Sequence, residues 1–267
     1  TPNAQNFMKL SPLLPLVLIH ALVSSFLWGD LRTPAVIGSN MVLQQNHRNP
    51  IWGWGNPGET VRVSLGKQMH QTKADDQGYW KVTLNPMKAS SSPATMTIKG
   101  SSELKYENIL VGEVWLCSGQ SNMGWALGNS DDSDLEIMTA NYPNLRLISV
   151  PQVGTQEPQI YFNGQWEATT PDIAKNFSAV GYLFGRRLHL ALGVPVGLID
   201  NAWGGSACEA WIPRDRLNKL AVAKPYMDQW RETEKTFDYD KLLVSYEEKL
   251  KKWQEKAQAA RKAGKPQ

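Results

Sequence analysis

The sequence predicts an α/β fold in which a small all-β domain precedes a parallel sheet, and three stretches carry that prediction. Residues 30–108 are short runs of alternating apolar positions broken by turn residues. Ile109 to Cys117 is apolar except at Gly112 and Glu113, and from there to residue 212 strand-like and helix-like stretches alternate. Period-two alternation marks half-buried strands, a long apolar run marks a strand buried on both faces, and the order strand, helix, strand marks parallel pairing through crossovers.

In chain order, Met8 and Lys9 lead into LSPLLPLVLIHALVSSFLWG, a basic start, an apolar core and a small-residue exit. That is the layout of a secretory signal peptide, assigned here to residues 1–29. A membrane anchor is the alternative, but two prolines and His20 interrupt a run that is short for a spanning helix. Cleavage between Ser25 and Asp30 would leave an exported protein, secreted or periplasmic, with no membrane contact. Cys117 and Cys208 would then meet oxidising conditions, although two free, buried thiols are the expected state.

Within 30–108, MVLQ, PIWGWG, TVRVSL, YWKVTL, ATMTIKG and ELKYENI read as strands. Asn56-Pro57-Gly58-Glu59 and Asp75-Asp76-Gln77-Gly78 read as turns, and Ala89 to Pro93 as a serine-rich break. Val61, Val63 and Leu65 share one face, as do Trp80, Val82 and Leu84. The expected product is a small sandwich, immunoglobulin-like or jelly-roll-like. Trp52 and Trp54 could stack on sugar rings, yet tryptophans in so small a domain are expected to fill its core.

In 109–212 the first strand ends in Ser118-Gly119-Gln120-Ser121-Asn122. Ser121 falls just past the carboxyl end of a central strand, where open α/β sheets bind ligands, and is a candidate nucleophile. A polar turn that merely ends the strand is the plain alternative. Ser133 with Glu136 offers a capping box for a short helix to Thr139, Leu145 to Val150 reads as a strand, and 151–172 as a loop with a hairpin candidate at Phe162-Asn163-Gly164-Gln165. Asn176 to Leu192 is the clearest helix, with Phe177, Val180, Phe184, Leu188 and Ala191 as its apolar stripe and Gly193 as a left-handed cap. Val194 to Asp200 follows as a strand and hands over to Asn201-Ala202-Trp203-Gly204-Gly205-Ser206, a turn that can lie at the same edge as the serine turn.

From residue 213 to 267 the chain is charged and helical. Leu242, Leu243, Tyr246, Leu250, Trp253 and Ala257 form an apolar stripe on its last helix, read as a solvated surface helix or, alternatively, an assembly surface. With 267 residues, 42% hydrophobic and 11 Trp, the chain has room for one large or two modest domains with real cores. Its net charge of +3 is uneven: Arg214 to Gln267 holds 14 Lys and Arg against 9 Asp and Glu. No basic face interleaved with aromatics marks the body, so no nucleic-acid partner is expected.

The string WLCSGQSNM resembles the nucleophile block of the sialate O-acetylesterase family, a branch of the SGNH or GDSL-like hydrolases, and WGGSACEAW resembles its second block. The G-x-S-x-G elbow is not matched, because Met123 stands where its second glycine belongs. The resemblance covers about Asp30 to Trp211. It implies an SGNH-like, flavodoxin-like parallel sheet, incomplete at the C-terminus. It also implies a serine O-acetylesterase acting on an acetylated carbohydrate, sialic acid or a related glycan, without metal or cofactor. Ser121 would carry the acyl group. Gly205, with Gly204 close behind, would add an oxyanion donor to the N–H of Ser121, and Gln120, Asn122, Trp203 and Ser206 would contact substrate.

The catalytic base is not in this pattern. SGNH hydrolases supply it as D-x-x-H, but the positions three before the four histidines hold Val17, Gln44, Lys67 and Arg186. The family's oxyanion asparagine, in a QGESN-like block, has no counterpart either. A chain of this sequence is therefore expected to be a poor catalyst, with the asparagine, aspartate and histidine lying downstream in a longer protein. A non-catalytic glycan-binding or scaffold protein is the competing reading. The cysteines and histidines show no metal-ligand spacing.

Overall fold

The computed structural model describes residues 30–155 and 157–262, so the signal-peptide assignment lies outside the described residues. The chain divides into two compact units, one ending at Gly205 and one beginning at Ser206. The first holds strands β1 (Val42–Gln44), β2 (Asn49–Trp54), β3 (Thr60–Leu65), β4 (Gln68–Lys73), β5 (Tyr79–Leu84), β6 (Ser90–Lys99), β7 (Glu103–Gly119), β8 (Tyr142–Ser149), β9 (Glu167–Thr169) and β10 (Val196–Ala202). Its helices are α1 (Ser133–Met138), α2 (Pro171–Asn176) and α3 (Ala179–Leu192).

One mixed sheet runs in the order β4, β3, β6, β7, β10, β8, β9, with β1 also parallel to β7, while β2 and β5 form a separate antiparallel pair. β7 is the shared member: up to Val111 it pairs antiparallel with β6, and Glu113 to Gly119 pair parallel with β10. Gly112 sits at the changeover. A Cβ there would fall 1.9 Å from the Pro195 carbonyl oxygen, so the chain preceding β10 can approach only a glycine.

Two apolar clusters follow from this topology. Ile51 of β2 and Trp80, Val82 and Leu84 of β5 pack with Val61, Val63 and Leu65 of β3, Met96 and Ile98 of β6, and Ile109. Cys117, Leu145, Leu147, Val196 and Leu198 of the parallel strands pack with Phe177, Ala179 and Tyr182. Full burial of each such large side chain is worth ~1.5–3 kcal/mol. Arg146 of β8, only 3% exposed, ties the parallel strands to what precedes them. Its guanidinium donates to the carbonyls of Pro143, Asn40 and Asn108 and to both asparagine Oδ1 atoms, with no carboxylate partner.

Several expected boundaries move. ELKYENI and the 109–117 run are one strand, β7. β4 is polar at every position except Met69 and so carries no alternation to reveal it, and β6 runs through the serine-rich break, with register shifts between Ser90 and Met96. The expected 176–192 helix starts later, at Ala179, and a separate short helix, α2, begins inside the expected loop. α2 ends at Asn176, Phe177 is extended, and Ser178 caps α3 by accepting the Gly181 N–H at 3.0 Å. The buried face of α3 is Ala179, Gly181, Tyr182 and Gly185, while Val180 and Phe184 of the expected stripe are exposed. Gly193 does adopt the left-handed cap, with φ 67°.

The capping box at Ser133 does not form. Asp132 precedes α1 in the left-handed region without a side-chain cap, and Glu136 pairs with Arg186 instead. No tight hairpin forms at 162–165; β9 returns to β8 only after that loop. Trp52 packs on the first cluster as expected, and Trp54 lies between the Tyr79 ring and the Arg32 guanidinium.

The second unit contains α4 (Arg214–Leu217), α5 (Lys224–Thr236) and α6 (Tyr239–Lys262). Leu217, Ala223 and Met227, with Ile212, form its small core. No residue of α6 is buried, and its apolar stripe is open at Leu242, Tyr246 and Trp253. Among the described residues no helix is long and apolar enough to cross a membrane.

Candidate active site

β7 and β10 run side by side and end together: Cys117 is opposite Asp200, Ser118 opposite Asn201 and Gly119 opposite Ala202. The turns that follow must therefore lie next to each other. The Trp203 N–H donates to the Gly119 carbonyl at 3.0 Å as a last rung, and the Gly124 N–H donates to the Gln120 carbonyl at 2.9 Å, closing one turn around Ser121, Asn122 and Met123.

Gly204 closes on the serine. A Cβ on it would stand 3.3 Å from Ser121 Cα and 3.4 Å from Ser121 Cβ, so its main chain lies directly against the candidate nucleophile. Gly205 follows with φ 80° and open space around it. Of the two glycines expected as oxyanion donors, Gly204 is the one whose main chain lies against Ser121. Ser121, Gln120, Asn122 and Trp203 are exposed around this edge. Ser206 opens the second unit, where its Oγ accepts the Trp211 Nε1–H at 2.8 Å.

The start of α3 holds the serine turn from behind. The Ala179 N–H donates to the Trp125 carbonyl at 2.8 Å and the Leu127 N–H to the Phe177 carbonyl at 2.9 Å. Beneath the turns lie two titratable groups. Burial, then the charge of Asp200, pushes the Cys117 thiol up to about 11, so it stays protonated and is no rival nucleophile. Burial raises the Asp200 carboxyl to about 6, with the Ala202 N–H acting in the opposite sense. Asp200 Oδ1 is buried with no hydrogen-bond partner. Sequence reasoning passed over Asp200; its signal was a lone acid closing an apolar strand.

The described histidines lie elsewhere. His189 is in the last turn of α3, its Nδ1 2.6 Å from the Val194 carbonyl oxygen, before β10 begins and about 20 Å, the length of that strand, from the serine edge. His70 on β4 meets Gln68, and His47 meets the Gln45 carbonyl. Among the described residues no group of three or more His, Cys, Asp or Glu could hold a metal ion. Both cysteines are free, but only Cys117 is buried; Cys208 is exposed. A cavity of about 640 Å³ between residues 33–40 and 161–168 shares no residue with either turn.

No model of a protein family matches the sequence. Human sialate O-acetylesterase is 34% identical over 237 residues, spanning 79% of this chain and 45% of the relative. The Mus musculus sialate O-acetylesterase is 34% identical over 230 residues, spanning 77% and 42%. The chain belongs to the sialate O-acetylesterase family. It spans about half the length of the curated family members it matches. A solved carbohydrate acetylesterase from Xanthomonas citri matches with TM-score 0.67 and 37% identity, over 71% of this chain and 44% of that one. The mixed sheet with α3 packed on its parallel part fits the SGNH-like fold of such acetylesterases. Of the two strings that carry the family likeness, WLCSGQSNM begins on β7 and WGGSACEAW starts directly after the last residue of β10, the strand that pairs with it.

Proposed function

We propose that the protein is an exported carbohydrate esterase that hydrolyses O-acetyl esters on sialic acid or a related glycan through an acetyl-enzyme on Ser121. The contact of Gly204 with Ser121 at the common edge of β7 and β10 carries this reading. The names of the relatives support it. In this mechanism Ser121 Oγ bonds to the acetyl carbonyl carbon, and the C=O electron pair moves to oxygen. The N–H groups of Ser121 and of Gly204 or Gly205 meet that charge. Collapse expels the sugar oxygen, which takes up the proton given up by the Ser121 hydroxyl, and water then adds to the acetyl carbon, releasing acetate and returning a proton to Ser121 Oγ. Gln120, Asn122 and Trp203 are the proposed glycan contacts, the Trp203 ring offering a face for a sugar.

The accompanying domain reading keeps 30–108 as a small sandwich, 109–212 as the hydrolase domain and 213–267 as a charged helical insertion. No described histidine is placed to deprotonate Ser121. The 267-residue chain is therefore proposed to turn over slowly, its base belonging to the length that its relatives have beyond the matched region.

A serine-directed fluorophosphonate, with Ser121→Ala as control, tests the nucleophile, and acetate release from an acetylated sialoside by the protein at its relatives' length tests the activity. Labelling of Ser121 and acetate release together support the esterase. A folded protein of that length showing neither would leave a non-catalytic glycan-binding protein. Rapid turnover of an aryl acetate by the 267-residue chain, lost in Ser121→Ala, would refute the missing base.

A further inference from the structure

Two cavities open on either side of the loop that precedes β9. The larger, about 640 Å³, lies between residues 33–40 and 161–168, with Tyr106 and Tyr161 in its wall. The second, about 320 Å³, lies between the end of β8 and α2, where Ser149, Asp172 and Asn176 line it. Gly164, Gln165, Glu167 and Ile173 line both, so the two are neighbouring stretches of one groove. Each volume falls in the range of small-molecule sites.

Hydrogen bonds hold the frame of this groove, and its second stretch leads toward the serine turn. Trp166 Nε1–H donates to the Val36 carbonyl at 2.9 Å, and Asn40 Nδ2–H to the Trp166 carbonyl at 3.1 Å. Gly164 lies against the exit of β8: a Cβ on it would fall 3.2 Å from the Ser149 carbonyl oxygen. Beyond Ser149 the chain follows the exit of β10. The Val150 N–H donates to the Asp200 carbonyl at 2.8 Å and Gln152 Nε2–H to the Ala202 carbonyl at 3.1 Å, and a Cβ on Gly154 would stand 3.8 Å from Trp203 Cη2. Ser149 is opposite Asp200, which is opposite Cys117, so two strand spacings, roughly 10 Å, separate Ser149 from the strand that carries the serine turn.

The lining decides the class of ligand. Gln165 Nε2–H to Glu167 Oε1 and Asn176 Nδ2–H to the Asp172 carbonyl are both 3.5 Å, long bonds that a ligand hydroxyl can replace. No Lys, Arg or His is among the described residues lining the second cavity, which presents the Glu167 and Asp172 carboxylates. The lysine of the larger cavity, Lys105, is engaged by Glu107 at 2.5 Å. Amides and carboxylates beside tyrosine rings suit sugar hydroxyls and repel an anion. We propose that this groove binds the uncharged sugar units of an oligosaccharide whose acetylated residue lies at Ser121, which makes the substrate an extended glycan. The placement at Ser121 rests on the esterase reading; binding in the groove does not.

The test is an NMR titration of the 267-residue protein with two neutral oligosaccharides, cellotetraose and lacto-N-neotetraose. At least one should move the Gly164, Gln165 and Glu167 amides, and Gln165→Ala with Asp172→Ala should weaken its binding by about tenfold. Amides that stay still with both sugars overturn the proposal, and this arm needs no variant to fold. A sialic acid oligomer that binds there as tightly as the neutral sugar overturns the ligand class. In the protein at its relatives' length, an acetylated tetraose should show a KM about tenfold below that of the acetylated monosaccharide. Acetate released with equal KM from both would overturn the extended substrate and leave the esterase reading intact. Neutral sugar held in the groove, with no acetate released from either compound, would sink the esterase reading and leave the groove standing.

Discussion

The two halves of β7 have opposite surroundings. From Ile109 to Val111 the strand has β6 on one side and β1 on the other, and Ile109 and Leu110 are 0% and 1% exposed. From Glu113 to Gly119 its ladder among the described residues is with β10, and Trp115 and Leu116 are 43% and 62% exposed. The strand is therefore divided: the first half anchors it in the apolar core, and the second carries Ser118 and the proposed nucleophile Ser121 out to an open edge. Gly112 is the joint between them, where the approach of Pro195 excludes a side chain.

Substitutions at each half should read out in different assays. The largest effect belongs to the end that carries Ser121. Gly204→Ala puts a Cβ 3.3–3.4 Å from Ser121 backbone and side chain. The fluorophosphonate labelling rate should fall by up to about 10²-fold, the scale of displacing a reacting group, with the urea midpoint unchanged. Labelling at the wild-type rate would remove Gly204 from the site. Ile109→Ala should do the converse. A cavity in the first cluster should cost ~3 kcal/mol in urea unfolding, while the folded fraction still labels normally. If labelling fell with stability intact, the two halves would not be separable.

Much of this division was legible beforehand, and the misses share a physical cause. The apolar runs of β7 and β10 and the Gly-Gly turn announced two strands ending in polar turns, although the burial on both faces that such a run predicts holds for the first half of β7 and not for Trp115 and Leu116. β4 was invisible since an edge strand of Gln, His, Thr and Lys has no alternation to display. The face of α3 was misassigned because hydrophobic period marks side chains that could be buried, whereas this helix approaches the sheet through glycines. Gly181 lies over Cys117 and Gly185 over Leu198. Phe184 is left outside, edge-on to Trp115 at 5.1 Å. The place of Asp200 beneath the turns and the approach of Gly204 to Ser121 were hidden for another reason: both depend on register and turn geometry, which spacing along the chain does not contain.

Asp200 brings pH into the same contrast. Its carboxyl is raised in the fold from 3.8 to about 6 by burial, so the protonated form favours the folded state. That contribution is complete below the unfolded value and is lost as pH rises through about 6. Asp200→Asn should therefore melt roughly 2–4 °C higher than wild type at neutral pH, about 1 kcal/mol once solvent at this partly exposed residue is allowed for. The two curves should meet near the acid end. A gap that widens on acidification would mean that the carboxylate, not the acid, is the form the fold prefers.

The smallest effect should come from the open edge itself. Leu116 sits between Trp115 and Cys117 on the second half of β7, and a leucine already 62% exposed loses little hydrophobic burial when replaced. Leu116→Lys should shift the urea unfolding free energy by less than about 0.5 kcal/mol, the range of ordinary surface substitutions. Leu110→Lys, on the buried half of the same strand, should prevent folding by placing an unpaired charge in the core. A cost above ~2 kcal/mol at Leu116 would show that this edge is covered in solution. Ser121 would then stand beside an interface rather than at a free margin, and the exposure that now distinguishes the second half of β7 would belong to the isolated chain alone.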